Sequence, residues 1–312
     1  MANRNLLDEL TRKGAGVLKR RQFISFGSPS CFCILSKISQ LRQRIVMKSI
    51  ILFLVVLSSL FSADDGVLIK AKKIGSEVVV IGENRNPFSI TVAYEADFKN
   101  LTAGKKMPLL FVLGPGSSKE VLTLHIDKKD FTFKAHYDWT IGSKDARHDN
   151  TYIYRLPYKA GTREMVSQGF NGKFSHFGQS RHAVDFNMRE GTGVYAAREG
   201  AVVRTKSDSN LGGANRTFEK HANEIIIEHS DGTLASYTHL KQNGVLVGVG
   251  EKVRRAQLIG YSGKTGYARG PHLHFVVYRA TDGKGRESIP VTFMSAKGKI
   301  QNPKKGAYYH AL

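Results

Sequence analysis

Two histidines that lie two positions apart in the segment PHLHF, residues 271–275, constrain this chain most strongly. On a β-strand, side chains at alternate positions point to the same face, so His272 and His274 would lie together on one side. The apolar residues that alternate with them would point to the other side, toward a core; these are Leu273, Phe275 and Val277. A face that carries paired imidazoles is a candidate for binding a hydrolytic metal ion.

Strand signals continue through the rest of this part of the chain. Short stretches of β-branched and aromatic residues predict strands at 194–205, 223–229, 233–240 and 272–279. Glycine and turn residues separate these stretches, and no long amphipathic helix is evident after residue 63. We therefore expect a strand-rich unit at 158–290, followed by a basic C-terminal tail at 291–312.

The region before this unit, residues 64–157, has the alternation typical of half-buried antiparallel strands. Large apolar residues take every second position in two segments: Phe88, Ile90, Val92 and Tyr94, then Phe131, Phe133, Ala135, Tyr137 and Trp139. Several short strands at this spacing predict a small β-sandwich-like accessory domain, so the whole fold is expected to be all-β. Since its histidines show no paired arrangement, we expect this domain to act as a spacer, a gate or a binding module.

The N-terminal segment predicts export. Residues 47–63 combine a lysine, an apolar stretch and small residues, as in a secretory signal peptide that is cleaved after Ala63. Because this segment begins at Met47, residues 1–46 are interpreted as a non-native upstream extension; the alternative is a cytoplasmic tail on an uncleaved anchor. Both cysteines, Cys31 and Cys33, precede Met47. A mature chain without cysteine fits the periplasm or cell envelope, or secretion, with no stable membrane span after cleavage.

The chain is strongly basic, with a formal net charge of +21. Residues 1–46 hold nine Lys/Arg and two Asp/Glu, a net of +7, so 21 − 7 leaves +14 for the remainder. Such a charge indicates an anionic partner, namely nucleic acid, lipid headgroups or an acidic wall polymer, or else a solvated basic surface. The signal peptide and the absence of a nucleic-acid motif argue against nucleic acid.

Three histidine-containing segments are candidates for the chemistry: FSHFGQSRHAVDF (174–186), SYTHL (236–240) and GPHLHF (270–275). A hydrolytic zinc site needs about three protein ligands of His or carboxylate type, with one position open for water. Further imidazoles can move protons or stabilise an oxyanion. On the SYTHL strand, Tyr237 and His239 are expected to share a face and to line a polar cleft. Tyr267 is a second candidate for the wall of this cleft, although either tyrosine could equally pack in a core.

Several ordered blocks resemble the lysostaphin-type zinc endopeptidases that act on bacterial cell wall: HAVDF, GTGVYAAREGAVV, NEIIIEHSDGTLASYTHL and GYSGKTGYARGPHLHF. The resemblance covers roughly residues 158–280. It implies a compact antiparallel β-domain with a narrow groove and one Zn²⁺ held by a His, an Asp and the second His of H-x-H. On this chain the last two ligands are Asp185 and His274, and the catalytic histidines are His239 and His272.

The first zinc ligand departs from the H-x-x-x-D pattern of that family, because Arg181 occupies the position four before Asp185. His182 lies three residues before Asp185 and would face the wrong side of a regular strand. His176 lies nine residues before it, and a loop through residues 178–180 would bring it back. We favour His176, and a β-bulge between residues 182 and 185 would reverse this choice.

The sequence thus predicts a zinc-dependent endopeptidase that hydrolyses peptide bonds in peptidoglycan cross-links or stem peptides. Its partners would be peptidoglycan and other anionic wall polymers, and its oligomeric state is left open. The alternative is a non-catalytic wall-binding regulator of another hydrolase. Such a regulator typically lacks metal-binding or catalytic residues, and this chain retains them.

Overall fold

A computed structural model describes residues 24–26 and 66–312 of the chain. The proposed extension at 1–46, apart from residues 24–26, and the signal peptide at 47–63 lie outside the described residues. The described part consists of β-strands and two short 3-10 helices, which confirms the predicted all-β fold. None of its helices has the length and apolar character needed to cross a membrane.

The first half of the described chain forms two four-stranded antiparallel sheets, with the strand orders β2-β3-β7-β5 and β1-β8-β4-β6. The strands are β1 (Ile24–Phe26), β2 (Val67–Ile74), β3 (Glu77–Asn84), β4 (Ile90–Lys99), β5 (Leu101–Ala103), β6 (Leu109–Leu113), β7 (Ser118–Ile126) and β8 (Thr132–Ile141).

The alternating apolar residues of these strands form the centre of the sandwich, as predicted. Val92 of β4 pairs with Trp139 of β8, and Tyr94 pairs with Tyr137; all four side chains are buried. Cross-strand aromatic and β-branched pairs of this kind stabilise a sheet through side-chain packing. The outward-facing Thr91 is buried as well, and its hydroxyl donates to the Gly142 carbonyl and accepts from the Lys144 N–H.

The second half is built around a nine-stranded sheet in the order β18-β13-β15-β16-β21-β11-β10-β25, with β22 paired to β21. Smaller sheets comprise β12-β19-β17, β24-β23-β9 and the parallel pair β14-β20. Its elements are β9 (Ile153–Arg155), β10 (Arg163–Gln168), the 3-10 helix η1 (Gly178–Ser180), β11 (Val184–Asn187), β12 (Gly193–Tyr195), β13 (Gly200–Lys206), β14 (Gly212–Gly213), the 3-10 helix η2 (Arg216–His221), β15 (Glu224–Glu228), β16 (Leu234–Thr238), β17 (Leu240–Val245), β18 (Lys252–Val253), β19 (Leu258–Ser262), β20 (Gly266–Tyr267), β21 (Leu273–Ala280), β22 (Arg286–Ile289), β23 (Thr292–Ser295), β24 (Gly298–Ile300) and β25 (Tyr308–His310).

The two faces of β21 have different environments. Leu273, Phe275 and Val277 are buried in the main core of the second half, as the alternation in the sequence predicts. On the opposite face, Val276 and Tyr278 belong to the apolar cluster that continues into the sandwich. The accessory sandwich therefore packs on the same sheet face that carries the H-x-H pair, but toward the other end of β21.

Contacts at the β21–β22 hairpin join the two halves. Gly283 lies so close to the backbone of Ala93 that a Cβ at this position would be 2.6 Å from the Ala93 nitrogen. The adjacent Lys284 Nζ lies 3.4 Å from Glu95 Oε1 and 3.7 Å from Asp138 Oδ2. Close backbone packing, together with a charged cluster, positions the sandwich against this hairpin.

The C-terminal residues, expected as a basic tail at 291–312, form strands β23, β24 and β25. β23 pairs in parallel with β9, and β25 pairs with β10 at the edge of the large sheet. Phe293, Ile300 and Ala311 are buried in the same core as β21. This segment is therefore packed into the sheet system that carries the histidines.

Candidate metal centre

Three adjacent strands bring the predicted ligands together. Asp185 of β11 lies directly opposite His274 of β21, and Thr238 of β16 lies opposite His274 on the other side. Because directly paired residues of neighbouring strands share a face, the carboxylate and the imidazole lie side by side. Asp185 Oδ1 is 2.8 Å from His274 Nδ1.

His176 reaches the same point from the loop that connects β10 to β11. Its Nε2 lies 3.1 Å from Asp185 Oδ1 and is otherwise buried without a hydrogen-bond partner. Its Nδ1 donates to the Gly169 carbonyl at 2.8 Å, which directs Nε2 toward the carboxylate. One donor atom each from His176, Asp185 and His274 therefore lies within 4.8 Å of the others.

His182, the competing first ligand, lies elsewhere. Its Nδ1 is 2.8 Å from the Ser288 carbonyl oxygen on β22, and its ring packs edge-on against Phe170. β11 begins only at Val184. The side chain that joins Asp185 and His274 in the structure is therefore that of His176.

The two histidines predicted to be catalytic stand beside this group. The rings of His239 and His272 have centroids 4.5 Å apart, and His272 Nε2 lies 3.9 Å from Asp185 Oδ1. His239 Nδ1 is 2.7 Å from the Thr265 carbonyl, and His272 Nδ1 is 2.8 Å from the Gly270 carbonyl. Since a carbonyl only accepts, both Nδ1 atoms carry a hydrogen, which assigns the tautomer and leaves Nε2 free for chemistry.

The prediction that Tyr237 and His239 share a face is wrong. Tyr237 is fully buried in the main core, where its hydroxyl accepts a hydrogen bond from the Ala197 N–H at 2.8 Å. β16 ends at Thr238, and His239 adopts a left-handed backbone with φ of 68°. This conformation breaks the strand alternation and turns the imidazole toward His272. Histidine is among the few non-glycine residues that adopt it with some frequency.

Gln168, which sequence reasoning missed, orients the carboxylate. The register of β10 against β11 shifts by one residue at Ser167, and this β-bulge places Gln168 opposite Asp185. Gln168 Nε2 donates to Asp185 Oδ2 at 3.1 Å and to Ser175 Oγ at 2.8 Å, while its Oε1 accepts from the Phe174 N–H at 3.1 Å. One amide therefore holds both the carboxylate and the loop that carries His176. No local motif marks this glutamine in the sequence.

Burial and mutual contacts determine the charge states of the group. Burial alone would raise the pKa of Asp185, but hydrogen bonds from His176 and His274 outweigh it and hold this pKa well below its usual range. Burial, followed by the neighbouring His272 and His274, lowers the pKa of His239 well below its ordinary value. Burial also lowers the pKa of His274, against the opposing effect of Asp185. At neutral pH the site thus holds an anionic carboxylate at Asp185 and neutral imidazoles at His239 and His274. For Asp185 and His274 these are the states that metal ligation requires.

The donor set fits a metal ion. Two imidazole nitrogens and one carboxylate oxygen converge, and the His176 Nε2 has no partner other than that carboxylate. Two His and one carboxylate form a ligand set typical of catalytic zinc. The side chains of His272 and His274 remain 16% and 14% exposed, so the group is open to solvent on their side.

An aromatic pair includes a residue of the loop that carries His176. Phe174 packs against Tyr267 with ring centroids 5.3 Å apart, and the Arg269 guanidinium lies 3.9 Å from the centre of the Phe174 ring. Tyr267, one of the two predicted wall residues, is thus half-buried against Phe174, in contrast to the fully buried Tyr237. The geometry as a whole is that of a metal-dependent hydrolase on an antiparallel β-scaffold.

Comparison with known proteins agrees with this geometry. Residues 179–288 match the family described as "Peptidase family M23", which confirms the resemblance inferred from the sequence. The chain is 32% identical over 151 residues to the peptidoglycan DD-endopeptidase ShyA of Vibrio cholerae serotype O1, covering 47% of this chain and 32% of ShyA.

Two staphylococcal proteins give similar matches. Identity is 34% over 126 residues to the glycyl-glycine endopeptidase ALE-1 of Staphylococcus capitis, covering 40% of this chain and 32% of that protein. It is 31% over 155 residues to lysostaphin of Staphylococcus simulans, covering 46% of this chain and 29% of lysostaphin. The chain thus spans about a third of the length of the curated relatives it matches.

Proposed function

We propose that this protein is a zinc-dependent endopeptidase that hydrolyses peptide bonds in bacterial peptidoglycan, within cross-links or stem peptides. His176, Asp185 and His274 would hold the metal ion, and His239 and His272 would be catalytic. The convergence of the three donor atoms within 4.8 Å, beside two further imidazoles, is the observation that carries this proposal.

The chemistry divides between the metal and the protein. When bound, zinc supplies Lewis acidity, which activates water and polarises a carbonyl group. Asp185 contributes the negative charge of the ligand set, and Gln168 fixes its orientation through Oδ2. One of the two catalytic imidazoles would accept the proton of the attacking water at Nε2 and pass it to the leaving amine. The other would donate a hydrogen bond to the developing oxyanion as an imidazolium, protonated at both ring nitrogens.

The substrate class is supported by three lines of argument. The relatives carry the names of peptidoglycan DD-endopeptidase and glycyl-glycine endopeptidase. The signal-peptide pattern at 47–63 would direct the protein to the envelope or out of the cell. The basic charge would hold it near anionic wall polymers in a salt-sensitive manner.

The test is digestion of purified peptidoglycan by the full chain, with new amine termini as the readout. We expect release with zinc and none with a chelator. Replacement of His239 or His272 by Ala should lower the rate at least 100-fold, on the order of a general acid–base contribution, while bound zinc remains near one equivalent. Replacement of His274 by Ala should remove both the zinc and the activity.

A wall-binding regulator would give a different result. It would bind peptidoglycan but release no amine termini with or without zinc, and the His239→Ala and His272→Ala variants would match the wild type. That outcome would refute the enzymatic proposal, whereas loss of cleavage in these variants with the metal retained would refute the regulator.

A further inference from the structure

A cavity of about 450 Å³ lies beside the metal-binding group. One wall is the loop after β10, including Phe170, Lys173 and Phe174, and the other wall is the C-terminal segment 302–305. Gln168 lines the cavity floor, and its amide lies 3.1 Å from Asp185 Oδ2. The cavity is therefore one side chain away from the proposed ligand set.

Tight packing fixes the C-terminal wall in place. A Cβ at Gly169 would overlap the Pro303 carbonyl oxygen, so the two walls meet in direct backbone contact. The Lys304 N–H donates to Tyr309 Oη at 3.0 Å, and the Gly306 N–H donates to the Val166 carbonyl on β10 at 2.8 Å. The cavity is thus formed by the fold itself rather than by a loose chain end.

The charge of the cavity is positive. Lys173, Lys304 and Lys305 line it and are exposed, and none of its lining residues is acidic. Within the described part of the chain, none of these three lysines lies within ion-pair distance of a carboxylate. Three cations beside apolar ring surfaces favour an anionic group on a partly apolar ligand.

We propose that this cavity binds a free carboxylate of the peptide substrate, one or two residues from the bond that is cleaved. A residue of an extended peptide spans about 3.3–3.6 Å, and only the Gln168 side chain separates the cavity from Asp185. A carboxylate bound in the cavity would therefore belong to a residue close in sequence to the cleaved bond. The C-terminal segment 302–305 would then determine which peptide substrates the site selects. This inference rests on the proposed function and adds the substrate feature that the site selects.

The experiment compares two double variants of the full chain with the same change in charge. Lys304→Gln/Lys305→Gln alters the cavity, whereas Lys297→Gln/Lys299→Gln alters two exposed lysines of the same C-terminal segment that do not line it. The probe is purified peptidoglycan stripped of phosphate-containing polymers, either native or with its carboxylates amidated. Co-sedimentation in the presence of chelator measures binding, and release of amine termini with zinc measures cleavage.

Wild-type protein should bind native peptidoglycan about three- to tenfold more tightly than amidated peptidoglycan, as expected for two partly exposed ion pairs. The Lys304/Lys305 variant should lose most of that preference in the binding measurement and should show a higher KM for native peptidoglycan in the cleavage measurement, with zinc content unchanged. The Lys297/Lys299 variant should keep the preference.

Equal loss in both double variants would overturn the proposal, because it would indicate general surface charge. Equal binding of native and amidated peptidoglycan by the wild type would overturn it as well. So would a preference for polyphosphate over native peptidoglycan in competition, which would indicate a phosphate site. Absence of cleavage with the binding preference intact would refute only the proposed enzymatic function, since the binding measurement does not depend on turnover.

Discussion

Replacing Gln168 by Ala gives the sharpest test of how the ligand set is held. This side chain makes three hydrogen bonds, to Asp185 Oδ2 at 3.1 Å, to Ser175 Oγ at 2.8 Å and to the Phe174 N–H at 3.1 Å. Alanine removes all three without touching a proposed ligand. The carboxylate then loses its orienting donor, and the loop that carries His176 loses two anchors.

The expected magnitude follows from the bond to the carboxylate. A hydrogen bond to a charged group contributes about 1.5–3 kcal/mol, which corresponds to roughly 10- to 100-fold in a binding constant. Loss of an orienting partner of a metal ligand typically lowers metal affinity by the same factor, about 10–100-fold. We therefore expect the zinc affinity of Gln168→Ala to fall by about 10–100-fold.

Competition with a chromogenic chelator measures this affinity, and circular dichroism with thermal unfolding checks the fold. Gln242→Ala is the matched control, because Gln242 is exposed and its amide bonds only the Asp208 carbonyl. Wild-type zinc affinity in a folded Gln168→Ala protein would show that Gln168 does not orient Asp185, and our account of the site would fail.

Three further predictions concern stability and the backbone around the site. Burial lowers the pKa of His229 from 6.5 to about 4. As the pH falls from 6.5 to 4, the unfolded chain therefore takes up a proton at this position and the folded chain does not. This difference removes about 3 kcal/mol of the free energy of unfolding. His229→Asn should flatten the fall in denaturation midpoint over this pH window, and an unchanged slope would contradict the assignment. Gly169→Ala should lower both the melting temperature and zinc affinity, because the new Cβ overlaps Pro303 and displaces the carbonyl that accepts from His176. A zinc titration that matches wild type would argue against that coupling. Tyr237→Phe should cost about 1–3 kcal/mol of unfolding free energy, since it leaves the buried Ala197 N–H without an acceptor. Zinc content should stay unchanged, and a loss of zinc would instead place Tyr237 at the site.

Alternation along single strands was predictable from the sequence, because it depends only on local geometry. His272 and His274 do face away from Leu273 and Phe275, and the core lies on the side of the apolar residues. The same rule failed at His239, because a left-handed residue just after the strand end reverses the facing. Backbone conformation at one residue is set by the surrounding packing and leaves no mark in a hydrophobic pattern.

The role of the C-terminal residues also depended on long-range pairing. Residues 291–312 have little internal periodicity and were expected as a tail, yet β23 pairs with β9 and β25 with β10. Each of these strands has only three or four residues. Short strands such as these are stabilised by partners far away in the chain, so their own composition carries little signal.

The sequence by itself determined the all-β class, the core face of the H-x-H strand and the identity of the residue types available for a metal ion. Those properties follow from side-chain chemistry and from the two-residue period of a strand. The sequence favoured His176 over His182, and the tertiary structure decided that His176 stands beside Asp185; only the tertiary structure showed that Gln168 orients the carboxylate. It did so because a loop path and a one-residue bulge determine where a donor atom lies, and both depend on contacts between strands that are distant in the chain.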